Sequence, residues 1–295
     1  MTGLTDYTAD AQLNWITGSI AMPPLPAVWM ALFTGVGNDS GAGFAEVATA
    51  GTGYARAQVA GTDPTSAATA VGNAILNFAS AVPSWIVPGM RIFDHSQSAA
   101  IPPGTTVLSI AGSSVTMSAN AAAPGVGVGD VIGFTAFGGP SGSSPSQIAN
   151  TGQINFPTAQ TSWGQVVAFG LYDAANGGDL LDWDYLGNYV WEPTTVNSAS
   201  PAVMTSHVHG FNVGDPVVWS TEFGGVSPTF SQSNFTGILT VTAPVTADSY
   251  TVVNAGTAVN TSGTGSGSMR KIVEQQIPTG VTASFVAGAM ILTAA

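Results

Sequence analysis

Val28-Trp29-Met30-Ala31-Leu32-Phe33-Thr34 is a nearly unbroken apolar run. It is too short for a buried helix and rich in aromatic and branched side chains, so it reads as a strand covered on both faces. Val166-Val167-Ala168-Phe169-Gly170-Leu171-Tyr172 is a second run of the same kind. Around these two, short apolar segments alternate with Gly, Pro, Asn and Ser clusters, which is the pattern of an all-β chain. One helix is expected, over residues 9–20, with Leu13, Ile16 and Ile20 on one face, Thr8 or Asp10 at its start and Pro23-Pro24 beyond its end.

The composition narrows the function classes. The 295 residues hold four Lys and Arg against sixteen Asp and Glu, a net charge of −12, and only 7% are charged. Such a chain has no cationic footprint for phosphates, so nucleic acid is excluded as a direct partner. No window has the length of apolar sequence that a membrane span needs, and Met1–Asp6 does not read as a secretory signal. With no cysteine there is no disulfide framework and no thiolate chemistry. Synthesis in the cytoplasm and stability from burial and assembly follow.

Two stretches differ in texture. Residues 62–138 are rich in Ala, Val and Gly, with Gly112-Ser113 as a hairpin turn before Ser114–Ser118. Residues 187–271 repeat the plan loosely, with strands at 213–219, 236–241 and 248–253. Both read as small β modules inserted into a host domain, and the Gly/Ser-rich segments 138–147 and 261–268 read as seams. The host would comprise residues 1–61, 139–186 and 272–295: a β-sandwich with the N-terminal helix across one end, closed by a hairpin around Gly288.

Several phrases, in order, carry a resemblance: Leu4-Thr5-Asp6-Tyr7-Thr8, Trp29–Thr34, Glu46-Val47, Gly53-Tyr54-Ala55-Arg56, Phe156-Pro157-Thr158-Ala159, Trp163-Gly164, Phe169–Ala174 and Gly177–Leu181. The host resembles small structural proteins of tailed bacteriophages and prophages, tail-fibre-like or head-decoration-like. His209–Val217 and Ile101–Val107 resemble phrases of β modules found in phage virion proteins. The resemblance implies a virion component, assembled in the bacterial cytoplasm. An exterior capsid decoration protein is the leading expectation, since no heptad, collagen-like or β-helical shaft is present. A tail-fibre or tail-appendage component binding host-surface glycan is the alternative. Self-association as a trimer, and contact with a capsid or tail protein, are expected in either case.

Candidate sites are few. Asp173, Asp179, Asp182, Asp184 and Glu192 form the densest acidic stretch. Catalysis by a carboxylate pair is weighed there and set aside, because Asp173 and Asp179 flank the turn Asn176-Gly177-Gly178. Ca2+ at Asp173 and Asp179 is one metal reading. A transition metal on His207 and His209, an i, i+2 pair that a strand would turn to one side, is the other. Trp183, Tyr185, Tyr189 and Trp191 read as exposed aromatics, either a sugar-stacking platform or interface anchors. Arg56 is expected in a structural salt bridge. No serine-nucleophile elbow and no phosphate loop occurs, so no enzymatic function is expected.

Overall fold

The computed structural model describes residues 3–19, 27–38, 40–142, 146–187, 190–221 and 237–294. The first part of the chain forms β1 (Gly3–Leu4), α1 (Asp6–Ile16), β2 (Ala27–Gly35), β3 (Ala45–Glu46), β4 (Ala57–Ala67), β5 (Ile75–Phe78), β6 (Arg91–Asp94), β7 (Val107–Ala111), β8 (Ser114–Met117) and β9 (Val131–Thr135). Next come β10 (Ser146–Ala149), β11 (Ile154–Thr158), β12 (Gly164–Val166), β13 (Ala168–Tyr172) and β14 (Leu180–Tyr185). Then follow β15 (Glu192–Val196), β16 (Met204–Thr205), β17 (Pro216–Ser220), β18 (Leu239–Thr242), β19 (Ser249–Asn254), β20 (Thr257–Ala258) and β21 (Gly265–Lys271). The chain closes with β22 (Gln275–Ile277), β23 (Thr282–Phe285) and β24 (Ile291–Ala294). The protein is all-β with one short helix.

Three layers result. The middle layer is a sheet in which β2 pairs β13 on one side and β4 on the other, while β14 extends it to β1. Alternation along β2 explains its apolar run. Met30 and Leu32 enter one core, and Ala31 and Phe33 enter a second core on the opposite face. In β13, Phe169 and Leu171 join the first core while Ala168 and Tyr172 join the second, and every residue of the strand is buried. Gly170 has no room for a side chain, because a Cβ there would lie 2.6 Å from the Phe33 ring.

The second layer is a long two-stranded ribbon. Residues 146–166 run antiparallel to 275–294, with Ser146 opposite Ala294, Ile154 opposite Phe285, and Val166 opposite Gln275. The expected hairpin around Gly288 is therefore corrected: β23 and β24 each pair back to β11 and β10, not to each other. Asn150 explains the shape of the bend. It is buried, its Nδ2 donates to Val286 O at 2.9 Å, and its Oδ1 accepts from Met290 N at 2.9 Å. Its main-chain O accepts from Gly288 N and its N donates to Met290 O. One side chain thus satisfies a turn that would otherwise bury bare amides.

The third layer is a barrel. The strands β16, β15, β21, β17, β18 and β19 follow one another by pairing, and β16 pairs β19 to close the ring. Closure removes the free edges of its walls. Its interior is a separate cluster that includes Met204, Val217, Leu239, Val241, Tyr250, Val252 and Met269. The Gly/Ser-rich segment 261–268 was expected as a seam, yet much of it is the barrel strand β21, paired on both sides. Gly267 is required there because a Cβ would meet the Trp219 ring at 2.5 Å.

Residues 62–138 are built differently. β4 runs through residue 61 without a break, and β9 and β6 extend the middle sheet from it. Leu76, Met90, Ile92, Ile132 and Phe134 share one continuous core with Met30, Val59, Phe156 and Trp163. The Gly112-Ser113 turn does join the hairpin β7–β8.

The helix lies at residues 6–16 and not 9–20, with Thr5 at its N-cap. Thr5 does not cap with its hydroxyl. That group and Thr8 Oγ1 instead donate to the carbonyls of Leu180 and Leu181, fastening the arm to β14. No helix residue is buried. Ile20 and Pro23-Pro24, expected at its end, lie outside the described residues.

Candidate functional site

The densest set of chemistry-bearing side chains lies where β14 leaves the middle sheet and the chain enters and leaves the barrel. Trp183 and Tyr185 on β14 pack with Phe33 and Tyr172 from the sheet and with Val218 and Ile272 from the barrel side. Trp183 meets Phe44 edge-on, with ring centroids 5.0 Å apart, and Tyr185 at 5.3 Å. The expectation that these two aromatics are exposed is thus corrected: Trp183 is 3% exposed and Tyr185 8%. Both anchor a seam inside the chain. Trp191 is half-buried against the same cluster, and Tyr189 lies outside the described residues.

Arg270 crosses this seam. It sits on β21, is 1% exposed, and donates from Nη1 to Asp184 Oδ1 at 2.6 Å and from Nη2 to Tyr185 O at 3.1 Å. Its guanidinium lies 5.8 Å from the Trp191 ring centroid. A buried guanidinium needs a carboxylate and several acceptors, and β14 supplies them. Lys271, the next residue, pairs with Asp215 at 2.8 Å on the barrel surface.

Arg56 occupies a second junction. Its Nε and Nη2 grip Glu46 at 2.9 and 2.7 Å, a two-point contact that suits the guanidinium fork. Its Nη1 donates to the carbonyls of Ala174 and Gly177 at 2.8 and 2.7 Å, and its plane lies 3.4 Å over the Tyr172 ring. Glu46 also accepts from Tyr54 Oη, which in turn accepts from Leu32 N. One cation therefore ties the 173–178 turn to β2 and β3.

That turn accounts for Asp173 and Asp179. Asp173 Oδ1 accepts from Asp179 N at 2.8 Å, and a Cβ at Gly178 would lie 2.3 Å from that oxygen. Asp173 is thus the acceptor that closes the loop. The histidine expectation is corrected on geometry. His207 and His209 lie in a turn, not a strand, because Val208 takes φ +52°. His207 points outward and meets Asp248 at 3.0 Å. His209 turns inward, accepting from Phe211 N at 2.9 Å through Nδ1 and packing against Tyr250 at 4.6 Å. The two imidazoles do not converge. Among the described residues, no group of three or more His, Asp or Glu side chains is placed to hold a metal ion.

Asp182 was visible only as one acid among several. Burial on β14 pushes its pKa up to about 7, the hydrogen bond from the Trp183 amide works against that rise, and the Asp184 charge adds to it. No sequence signal marked Arg270 or Asp182, since burial of a charged side chain leaves no local pattern.

The sandwich, ribbon and barrel define a multi-module all-β protein whose charged side chains mark its junctions. The family model described as Podophage GP4 fiber I protein gp80 matches residues 3–136 and 102–199, more than half of the sequence, and the chain belongs to that family. It is thus a structural component of a bacteriophage virion. No curated protein matches the sequence. No helix among the described residues is long and apolar enough to cross a membrane.

Proposed function

We propose that the chain is a fibre or tail-appendage component of the phage particle, acting by assembly and not by catalysis. The observation that carries this reading is the family match over residues 3–199, whose description is that of a fibre protein. It favours the tail over the exterior capsid decoration expected from the sequence. Self-association, as a trimer, and contact with other virion proteins belong to the same reading. The charge distribution supports it: Arg56, Arg270 and Lys271 each pair with an acid of the same chain, so the acids that remain far outnumber the fourth cation, Arg91. Such a surface suits basic neighbours in a particle.

A host-surface glycan remains the proposed ligand class for the exposed modules. Trp183 and Tyr185 are withdrawn from that platform by burial, which leaves Tyr189 and Trp191 as its testable aromatics. Gold-labelled antibody against the barrel, residues 192–271, tests the placement on intact particles. Label confined to the tail is expected, and label spread over the head shell would overturn the fibre reading in favour of decoration.

A further inference from the structure

Two carboxyl groups at the edge of the middle sheet lack a counter-charge. Asp94 ends β6 and is 3% exposed. Its Oδ1 accepts from Ser96 N at 2.8 Å and Gln97 N at 2.9 Å, while its Oδ2 is buried and has no partner. Asp130 lies just before β9, the strand paired with β6. Its Oδ2 accepts from Gly127 N at 2.6 Å and from Gln97 Nε2 at 2.8 Å. Gln97 therefore holds both acids at once, its amide on Asp94 and its side chain on Asp130, which makes the two carboxyl groups neighbours. Four N–H donors fill one oxygen of each acid and leave one oxygen of each.

Two carboxylates this close, with one buried, do not both stay ionised without a positive partner. The charged and titratable groups on the elements packed here are few. β6 carries Arg91 at its other end and is followed by His95, and β4 carries Asp63, which lies across Ile132 from Asp94. Among the described residues, no ion pair reaches Asp94 or Asp130. A calcium ion prefers six to eight oxygens, and among the described residues no third acidic or imidazole ligand joins these two. A proton needs only the two free oxygens.

We propose that Asp94 and Asp130 share one proton, with Asp94 Oδ2–H donating to Asp130 Oδ1, and that this bond latches the turn after β6 to the glycine-rich loop before β9. Burial raises the Asp94 pKa from its ordinary value, the Gln97 and Ser96 amides work against that rise, and the Asp130 charge adds to it. The latch is complete at low pH and is lost as pH rises through that raised value.

The test is the thermal melting of the full chain from pH 4 to pH 8, for the wild type, Asp94→Asn and Asp130→Asn. An asparagine amide at either position donates the bond without titrating. The melting advantage of each variant over wild type is expected to be near zero at pH 4 and to grow with pH. Amide exchange at Ser96, Gln97 and Gly127 in the wild type, corrected for intrinsic rate, gives a readout that needs no variant. Opening there should rise by up to about tenfold per pH unit above the ordinary aspartate range, then level off. A pH-independent difference between variants and wild type, or pH-independent opening, would overturn the proposal. Millimolar CaCl2 that raises the melting point of wild type but not of Asp94→Asn would overturn it too, in favour of a bound cation.

Discussion

The two stretches read as inserted modules differ in how they are held. The 192–271 barrel closes on itself around its own core, and meets the rest of the chain through a seam of aromatics and the Asp184–Arg270 pair. Residues 62–138 have no core of their own: β4 carries the middle sheet into them, and Phe134 packs in the same cluster as Met30 and Trp163. A closed barrel satisfies its strand edges internally, so it needs neighbours only for docking. An open extension of a sheet borrows both hydrogen bonds and core from its parent. Similar β texture in sequence thus yields two kinds of attachment.

Core truncation gives the largest effect on this contrast. Phe134→Ala and Tyr250→Ala each remove a fully buried aromatic and should each cost about 4 kcal/mol in the unit that contains them. Urea unfolding followed by intrinsic fluorescence should show the first variant weakening sandwich and first module in one transition, and the second weakening the barrel alone. Breaking the seam comes next. Arg270→Ala leaves Asp184 and the Tyr185 carbonyl without their buried donor and should cost about 3 kcal/mol. Limited proteolysis should then cut the 186–191 connection much faster than in wild type.

Asp182 provides a pH-resolved check on the sheet side of the seam. The free acid ionises near 3.8 and the folded one near 7, so folding pays an ionisation penalty that enters as pH rises between those values. Asp182→Asn should be neutral below pH 4 and stabilising by about 2 kcal/mol at pH 8, after allowance for the solvent that reaches this half-buried group. A gain at low pH instead would contradict the sign. The smallest effect belongs to Lys271→Met, which removes a partly exposed pair with Asp215 and should change stability by less than about 1 kcal/mol.

These contrasts also show what a single sequence displays. The runs at 28–34 and 166–172 announced doubly covered strands, because apolar side chains are needed on both faces of such a strand. The second run is divided, with Val166 ending β12 and Ala168–Tyr172 forming β13. The Gly112-Ser113 turn was legible for the same local reason. The ribbon was not. Its partners stand more than a hundred residues apart, and the bend that separates β23 from β24 depends on one distant side chain, Asn150. His207-Val208-His209 looked like a strand edge, since valine rarely takes the left-handed backbone that it adopts here. Gly267 and its neighbours looked like a linker because the reason for glycine, the Trp219 ring, is supplied by another strand. Of the site, Arg56 could be singled out by its scarcity among acids. Arg270 was equally scarce, but nothing near it in sequence signalled complete burial.

Hydrogen exchange read by mass spectrometry on the full-length Phe134→Ala protein tests the difference in attachment most directly. Protection should fall together in β2, β4, β6, β9 and the ribbon β11–β12, while β15, β17, β18 and β19 of the barrel keep theirs. Loss confined to residues 62–138, with β2 and the ribbon still protected, would contradict the shared core. Loss of barrel protection to the same degree would contradict its independence.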